Sequence, residues 1–401
     1  MINNYLTEDI EGTGGSIKET PEDFLVEEIP LYQPCGEGEH LYISVEKRGL
    51  TTHQLLRHAA QVLSVNERDI GYAGLKDSNA TTIQTISIPL IEPDAAKKLE
   101  NEQIRVLNAI RHRNKLRPGH LAGNRFQIRV TGPRANSLSQ AESILTELQD
   151  KGVPNFFGVQ RYGALGNSHL IGQAILRNNF ENACQLLIGN PEIIEHPGWK
   201  KGVELFLEGE LEAAAAQLPR HCRYERQMLT GLAKGQSHKK ALLNLPRNIL
   251  RLYLSAYQSS LFDKIVAMRL ATIDKLWPGD IAIKHANGAC FRVEDAPMEQ
   301  LRADAFEISA SGPLYGHKTM LAGGQSGILE ESLLDKEKLS LEDFKLGRGL
   351  AMTGERRALR IPVSDVSVHE ENDDFILNFT LPKGSYATSL IREITKSDPT
   401  Q

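Results

Sequence analysis

Apolar and polar residues alternate with a period of two toward the start and the end of the chain. Phe24 and Val26 begin this pattern, and residues 41–45 repeat it after a glycine-containing link. Over residues 125–130 the apolar side chains face one way and arginine or glutamine side chains the other, and residues 375–381 also alternate. Each stretch is predicted to be a β-strand with one buried face. The glycine-containing link predicts that the first two strands are antiparallel neighbours.

Apolar residues at helical spacing occupy other parts of the chain. Residues 55–63 carry such a stripe, and Thr51 with Gln54 forms a capping box in front of it. A second helix is predicted from Ser137 to Gly152, and most of the chain from Asn155 to about residue 275 is predicted to be helical. Strand-rich ends around a helical middle predict an α+β protein with a central insertion.

Composition adds that the chain is long enough for more than one hydrophobic core. Its 401 residues are 40% hydrophobic and 24% charged, which is typical of globular proteins. The sequence shows neither an apolar run long enough to span a bilayer nor a signal-peptide pattern, so we expect a cytoplasmic protein that does not enter a membrane. The four cysteines are far apart without a C-x-x-C pair, so neither a zinc site nor a disulfide framework is expected.

Basic residues are concentrated in two stretches, although the formal net charge is −5. The first basic stretch, residues 105–134, has no acidic residue. It contains Arg105, Arg111, Arg113, Lys115, Arg117, Arg125, Arg129 and Arg134. The second has one acidic residue, Glu225, and contains Arg220, Arg223, Arg226, Lys234, Lys239, Lys240, Arg247 and Arg251. A single basic run is often only a solvated surface, but two such runs favour a protein that binds nucleic-acid phosphates.

The stretch Gly71–Gln84, GYAGLKDSNATTIQ, places two glycines and a Lys-Asp pair between a predicted helix and a predicted strand. Glycine allows a backbone to approach a ligand closely, so Asp77 is the first candidate for a reacting carboxylate. An aspartate carboxylate is ionised at neutral pH and can act as a nucleophile without a separate base. The alternative is a surface turn in which Asp77 caps its own backbone.

A carboxylate buried at position 77 needs a compensating cation. Lys76, Lys18 or a nearby arginine can supply it. Adjacent residues of a strand point to opposite faces, which favours Lys18 over Lys76, although the pairing stays open. Aromatic side chains such as Phe24 and Tyr386 can stack on an extruded base.

Several common catalytic motifs are absent from the sequence. It contains no G-x-x-x-x-G-K-[ST] phosphate loop, no G-x-G-x-x-G after a strand, no H-E-x-x-H and no G-x-S-x-G. These absences argue against nucleotide hydrolysis, zinc chemistry and serine hydrolysis. They also argue against an RNA-modifying enzyme that depends on a nucleotide.

Eight motifs, in order along the chain, resemble those of the TruD family of pseudouridine synthases. They are KETPEDFLVEE, GEGEHLYISVEKRGLTT, GYAGLKDSNATT, GNRFQIRV, NFFGVQRYG, SAYQSSLF, SGPLYG and LPKGSYATSLIRE. One such motif is a weak signal, but eight in the family's order span nearly the whole chain and are highly specific. The stretch between Arg161 and Arg251 contains few motifs that can be matched.

The resemblance implies a fold and a division into domains. The expected fold is an α+β pseudouridine-synthase catalytic domain with a mixed, largely antiparallel sheet, split by an inserted, mainly helical α/β TRUD domain. Residues 1–154 and 308–401 are predicted to form the two parts of the catalytic domain, and residues 155–307 the insertion.

The resemblance also implies an isomerase that converts uridine 13 of tRNA to pseudouridine without a cofactor or a metal. The tRNA substrate is the expected partner, with no membrane and no obligate protein partner. Attack of Asp77 on C6 of uracil, its attack on C1′ of ribose, and abstraction of the 2′ proton all stay open. An RNA-binding or RNA-folding protein with a lapsed catalytic site is the alternative function.

Five residues take their expected roles from the resemblance. Asp77 matches the catalytic aspartate. Phe24, Asn124 and Tyr386 match positions that line the family's uridine pocket, and Lys18 matches a charged position near it. Tyr386 stands where some members carry phenylalanine, a change that keeps the stacking face and adds a hydroxyl.

Other interpretations of the neighbouring residues stay open. Asn124 can present a donor and an acceptor to a base edge, or it can hydrogen-bond a turn before its strand. Phe126 lies on an apolar face and can simply be core. Lys76, Arg125 and Arg161 are possible RNA contacts, and Arg161 can alternatively lie at a domain hinge.

Overall fold

The computed structural model of the protein describes residues 4–76 and 78–397. The chain folds into two compact units, one formed by residues 5–154 together with the chain from residue 361 onward, and one formed mainly by residues 155–360. Residues 308–360, predicted from the sequence to belong with the C-terminal part, pack inside the second unit. The division into a catalytic domain and an inserted TRUD domain stays a prediction.

The first unit is built mainly of β-strands, with helices packed against them. Its strands before residue 155 are β1 (Phe24–Pro30), β2 (His40–Arg48), β3 (Gly71–Tyr72), β4 (Thr81–Pro89), β5 (Ile104–His112), β6 (Leu121–Val130) and β7 (Val153–Pro154). Its helices there are α1 (Thr52–Val62) and α2 (Leu138–Lys151). Short 3-10 turns occur at Pro21–Asp23, Glu67–Asp69 and Pro93–Leu99.

The second unit is mainly helical. Its helices are α3 (Ser168–Leu176), α4 (Phe180–Ile188), α5 (Pro197–Leu207), α6 (Leu211–Gln217), α7 (Arg223–Ala233), α8 (His238–Leu243), α9 (Arg247–Arg269), α10 (Ala296–Asp304) and α11 (Gly324–Lys336). Its strands are β8 (Ile281–Lys284), β9 (Cys290–Arg292), β10 (Ile308–Leu314) and β11 (Glu355–Ala358). The chain then returns through β12 (Arg360–Ile361) to β13 (Ser364–Glu371), β14 (Asp374–Pro382) and α12 (Ala387–Thr395) of the first unit.

The predicted helix starts agree with the structure because their caps are local. Thr51 and Gln54 form both hydrogen bonds of the capping box in front of α1. Ser137 precedes α2, and Gly152, with a positive φ of 85°, ends it. These helices, the strands with alternating burial and the helical middle make the protein an α+β structure, as predicted.

The large sheet of the first unit has the strand order β13-β14-β6-β1-β4-β2-β5, with β3 paired alongside β4. β1 and β4 are parallel, whereas the other described strand pairs of this sheet are antiparallel. β4 lies between β1 and β2, so the prediction that β1 and β2 are antiparallel neighbours is wrong. β4 pairs along its whole length with β2 and over residues 81–83 with β1, a choice of neighbours that local alternation cannot reveal.

Three hydrophobic clusters are described in the first unit, and two of them are large. One joins β1, β6 and β14 to α2 and α12, and the other joins β2 and β4 to α1. Between them, buried polar side chains line the junction of β1, β4 and β2. We call this set the polar seam: Glu28, Lys47, Thr52, Thr82 and Gln84. The seam supports the loop between β3 and β4.

The second unit packs its helices closely around α9. An added Cβ at Gly172 of α3 would lie 2.0 Å from the carbonyl oxygen of Tyr253 in α9, so only glycine allows this approach. The four strands form an antiparallel sheet in the order β11-β10-β8-β9. Within the described residues, no helix is both long enough and apolar enough to cross a bilayer.

Candidate active site

The loop between β3 and β4 contains Asp77, which lies outside the described residues, so its predicted catalytic role stays a prediction. On its N-terminal side the loop is held by two hydrogen bonds. Gln84 Nε2 donates to the carbonyl of Gly74 (2.7 Å), and the backbone N–H of Lys76 donates to Thr52 Oγ1 (2.9 Å). Thr52 Oγ1 in turn donates to Gln84 Oε1 (3.1 Å), so one buried pair of side chains fixes the backbone up to residue 76.

On the C-terminal side of the loop, Asn79 Nδ2 donates to the backbone carbonyl of Lys18 (3.2 Å). Lys18 has a φ of 62°, which is uncommon for a residue with a side chain, and its ammonium lies 4.1 Å from the centroid of the Phe24 ring. The Phe24 ring is only 4% exposed and meets Phe126 edge-on, and Phe126 stacks on Phe379. Phe126 is therefore a core residue, and Phe24 connects that core to the Lys18 ammonium.

Lys76, Glu28 and Asn124 meet beside the loop. Lys76 Nζ donates to Asn124 Oδ1 (2.6 Å) and lies 3.2 Å from Glu28 Oε1. The side chains of Lys76 and Glu28 are 7% and 5% exposed. Glu28 and Asn124 are directly opposite each other on β1 and β6, so their side chains share one face of the sheet. This places Asn124 inside a strand, and its alternative interpretation as a turn residue is wrong.

One oxygen of the Glu28 carboxyl is hydrogen-bonded, and the other faces a charge. Its Oε2 accepts a hydrogen bond from the backbone N–H of Thr85 (3.0 Å), while Oε1 has the Lys76 charge nearby but no hydrogen bond of good geometry. Burial raises the pKa of Glu28, and the adjacent Lys76 ammonium opposes that rise. The ion pair thus supplies the compensation without which this carboxylate would be costly to bury.

Tyr386 and Arg125 are two further predicted site residues, and they occupy different positions relative to the Lys76, Glu28 and Asn124 group. Tyr386 is half-buried and is the residue before α12, five residues after Leu381, the β14 partner of Asn124. Arg125 follows Asn124 on β6, so it lies on the opposite face of the sheet, where it pairs with Glu27 (2.7 Å). An exposed ion pair of this kind is weak, so Glu27 does not prevent Arg125 from contacting RNA. The RNA contact of Arg125 stays a prediction.

Arg161 belongs to the second unit, where α9 holds its side chain. Its guanidinium donates to Ser259 Oγ (3.1 Å) and to Ser255 Oγ, and lies 5.5 Å from the centroid of the Phe157 ring. Its roles in RNA contact or at a hinge stay predictions.

Glu28, Thr52 and Gln84 are site residues that the sequence reasoning missed. A signal for Glu28 was present, because it continues the inward-facing series of Phe24 and Val26 at a spacing of two. A carboxylate on the apolar face of a strand indicates a buried pair. Among the described residues, no group of three or more His, Cys, Asp or Glu side chains is arranged to hold a metal ion.

The first basic stretch is largely neutralised in the folded protein. Neighbouring strands and loops supply the acidic partners that the stretch itself lacks. The pairs are Arg105–Glu46, Arg111–Glu92, Arg113–Glu37, Arg125–Glu27, Arg129 with Asp23, Glu371 and Asp374, and Arg134–Glu11. The sequence of this stretch, which contains no acidic residue, therefore suggests a more positive surface than the folded protein has.

The second basic stretch keeps its charge exposed. Its exposed cations without an ion pair to any described acidic residue are Arg220, Arg223, Lys234, Lys239, Lys240, Arg247 and Arg251. Arg223 and Lys234 lie on a groove of about 420 Å³ along α7 and α8. This surface of the second unit is the stronger candidate for contact with nucleic-acid phosphates.

Comparison with known proteins places the chain in a family. The model of the family tRNA pseudouridine synthase D (TruD) matches residues 2–394. The chain is 56% identical to tRNA pseudouridine synthase D of Syntrophotalea carbinolica, over 98% of this chain and 99% of that protein, and 39% identical to that of Thermus thermophilus, over 98% and 92%. A crystal structure of a putative TruD from Methanosarcina mazei superposes with a TM-score of 0.84 at 29% identity, covering 99% of this chain and 97% of the other. These matches, which run the length of the chain, show that the protein belongs to the tRNA pseudouridine synthase D (TruD) family.

Proposed function

We propose that the protein is a tRNA pseudouridine synthase that isomerises uridine 13. The observation that carries the proposal is the fixed loop around position 77, held on one side by Thr52 and Gln84 and on the other by Lys18 through Asn79. A reacting carboxylate needs such positioning, because a rigid site supplies much of the catalytic effect. The family membership supports the same activity.

In the proposed reaction the target uridine leaves the RNA stack and enters the site, with Asp77 as the nucleophile. Extrusion costs a few kcal/mol, which stacking and hydrogen bonds in the site offset. The N1–C1′ bond breaks and a C5–C1′ bond forms, while C5 loses a proton and N1 gains one. The reaction is therefore balanced without a cofactor, and attack at C6, attack at C1′ and a route through the 2′ proton all give this product.

The remaining predicted residues have roles in holding the base. Asn124 contacts the base edge, and Tyr386 supplies a stacking face at the start of α12. Phe24 and Lys18 complete the wall beside residue 79. The exposed cations on α7 and α8 contact the tRNA backbone. We further propose that the protein acts in the cytoplasm and needs no protein partner.

The test uses purified protein and a tRNA transcript labelled with tritium at C5 of uridine, without any added cofactor. Tritium release and a pseudouridine at position 13, located by reverse-transcription mapping, are expected for the wild type. Asp77→Asn should abolish release while tRNA binding largely survives. The matched control is Asp94→Asn, at an exposed aspartate of a surface turn, which should keep full activity.

The possible results separate the proposal from the alternative. An Asp77→Asn protein that still makes pseudouridine would falsify the catalytic assignment. A wild-type protein that binds tRNA but releases no tritium would instead favour an RNA-binding or RNA-folding protein. Pseudouridine at a position other than 13 would retain the activity and correct the target.

A further inference from the structure

The contact between Lys76 and Asn124 determines which way the Asn124 carboxamide faces. The oxygen and nitrogen of an amide are often hard to tell apart in a structure. A lysine ammonium, however, carries three donors and no acceptor. At 2.6 Å from Lys76 Nζ, only the oxygen of Asn124 can face the ammonium. The carboxamide is therefore locked with Oδ1 toward Lys76.

Lys76 is itself anchored independently of Asn124. Glu28 Oε1 lies 3.2 Å from the ammonium, and Glu28 Oε2 is tied to the backbone of β4 through Thr85. The Lys76 and Glu28 side chains are almost closed to solvent, so water has little access to compete for the ammonium. The backbone of Lys76 is fixed separately by Thr52. The ammonium thus acts as a rigid reference for the amide.

The locked amide offers donors to a bound base. Asn124 Nδ2 carries two N–H groups, and no described residue accepts a hydrogen bond from it. The side chain is half-buried, so a ligand can reach it. Uracil presents an oxygen acceptor at C4, whereas cytosine presents an amino donor there. A donor placed against that position accepts uracil and leaves cytosine with two facing donors.

We propose that Lys76 and Glu28 are positioning residues that select uracil over cytosine. They hold the Asn124 amide so that Nδ2 donates to the C4 oxygen of the target base. This inference rests on the proposed function for its substrate, but it assigns to Lys76 and Glu28 a role that is neither RNA-backbone contact nor charge compensation of Asp77. Asn124 touches the base, and the other two act through it.

The test measures base selectivity in binding, in the Asp77→Asn background so that no turnover occurs. Two tRNA transcripts differ only in uridine or cytidine at position 13, and the base opposite is removed in both so that extrusion costs the same. The Asp77→Asn protein without a further substitution should bind the uridine transcript about tenfold more tightly than the cytidine transcript. That is the size expected when one buried hydrogen bond is replaced by two facing donors. Lys76→Met frees the amide to rotate and should bring that ratio close to one.

Two further variants make the test decisive. Asn124→Asp keeps the pairing with Lys76 but presents an acceptor, so it should reverse the preference toward cytidine. Lys76→Arg keeps a donor-only partner and should retain the preference for uridine. The control is Glu27→Gln, next to Glu28 on β1 but on the opposite face, which should leave the ratio unchanged.

The proposal is overturned if Lys76→Met keeps the preference of the parent protein for uridine, if Asn124→Asp does not shift the preference toward cytidine, or if Glu27→Gln changes the ratio as much as Lys76→Met does. Should Lys76→Met not fold, the double variant Glu28→Leu/Lys76→Met, which removes both buried charges, takes its place. Each of these failures can occur while the wild type still makes pseudouridine, so it is distinct from a failure of the proposed function.

Discussion

The ammonium of Lys76 lies 2.6 Å from Oδ1 of Asn124, although 48 residues separate them in the chain. This hydrogen bond links the loop that carries Asp77 to the middle of β6. Because β6 pairs with both β1 and β14, the position of the loop depends on the register of three strands. Substitutions that disturb this register should therefore affect both stability and activity.

Glu28→Leu should lower the free energy of unfolding by about 3–5 kcal/mol, because it leaves the Lys76 ammonium buried without a counter-charge. The double variant Glu28→Leu/Lys76→Met removes both charges and should recover much of this loss. Urea denaturation followed by circular dichroism measures the difference. Glu27→Leu is the control, since its exposed pair with Arg125 is worth less than about 1 kcal/mol. A double variant less stable than Glu28→Leu would contradict the interpretation.

Gly123→Ala should destabilise the sheet beside the site. A Cβ at this position would lie 2.4 Å from the carbonyl oxygen of Leu381 on β14, and backbone atoms there cannot move aside easily. We expect a loss of about 1–3 kcal/mol and a fall in activity, because Asn124 follows directly. Gly347→Ala is the control, since nothing lies within 4 Å of its added Cβ. Equal effects of the two substitutions, measured by urea denaturation and tritium release, would refute this explanation.

Asp263 should make the stability of the second unit depend on pH. Burial raises the pKa of Asp263 to about 6, against hydrogen bonds from Phe157 N–H and Tyr162 Oη that lower it. Between about pH 4 and pH 6 the folded state then holds more protons than the unfolded state, so stability falls as pH rises through this window. Above about pH 6 the free energy of unfolding is lower by the full penalty, which is about 3 kcal/mol for a shift of two pKa units.

Asp263→Asn removes this titration and keeps a hydrogen-bonding side chain of the same size. Its stability relative to the wild type should therefore improve as the pH rises from 4 to 7. Fluorescence of the two tryptophans, Trp199 and Trp277, reports the unfolding of this unit, because both lie in it. A stability difference that stays constant with pH would show that Asp263 titrates normally.

Arg223→Ala and Lys234→Ala should each weaken tRNA binding without regard to the base at position 13. Each is an exposed cation on the α7–α8 groove without an acidic partner among the described residues. Removing a phosphate contact should also reduce the slope of log affinity against log salt by about one. Filter binding at several salt concentrations measures both effects.

The matched control for this surface is Arg113→Ala. Arg113 is equally exposed and basic but pairs with Glu37, so its removal should change affinity and salt slope less. If Arg113→Ala weakens binding as much as Arg223→Ala, the distinction between neutralised and open cations fails.

Local pattern was enough to predict much of the secondary structure. The capping box at Thr51 and Gln54, the glycine at 152 and the alternation of apolar residues in β6 and β14 act over a few residues, so the sequence displays them directly. The motif around Asp77 could also be recognised from the sequence, because its glycines and polar residues are contiguous.

What only the tertiary structure decided depends on partners far apart in the chain. The insertion of β4 between β1 and β2 cannot be read from alternation, which gives each strand a buried face but not a neighbour. The neutralisation of the first basic stretch is of the same kind, as is the meeting of Lys76, Glu28 and Asn124. The sequence alone determined which residue types line each face of each strand. Folding decided which of these residues meet. Ion pairs and hydrogen bonds depend on the distance between atoms in space, and separation along the sequence does not give that distance.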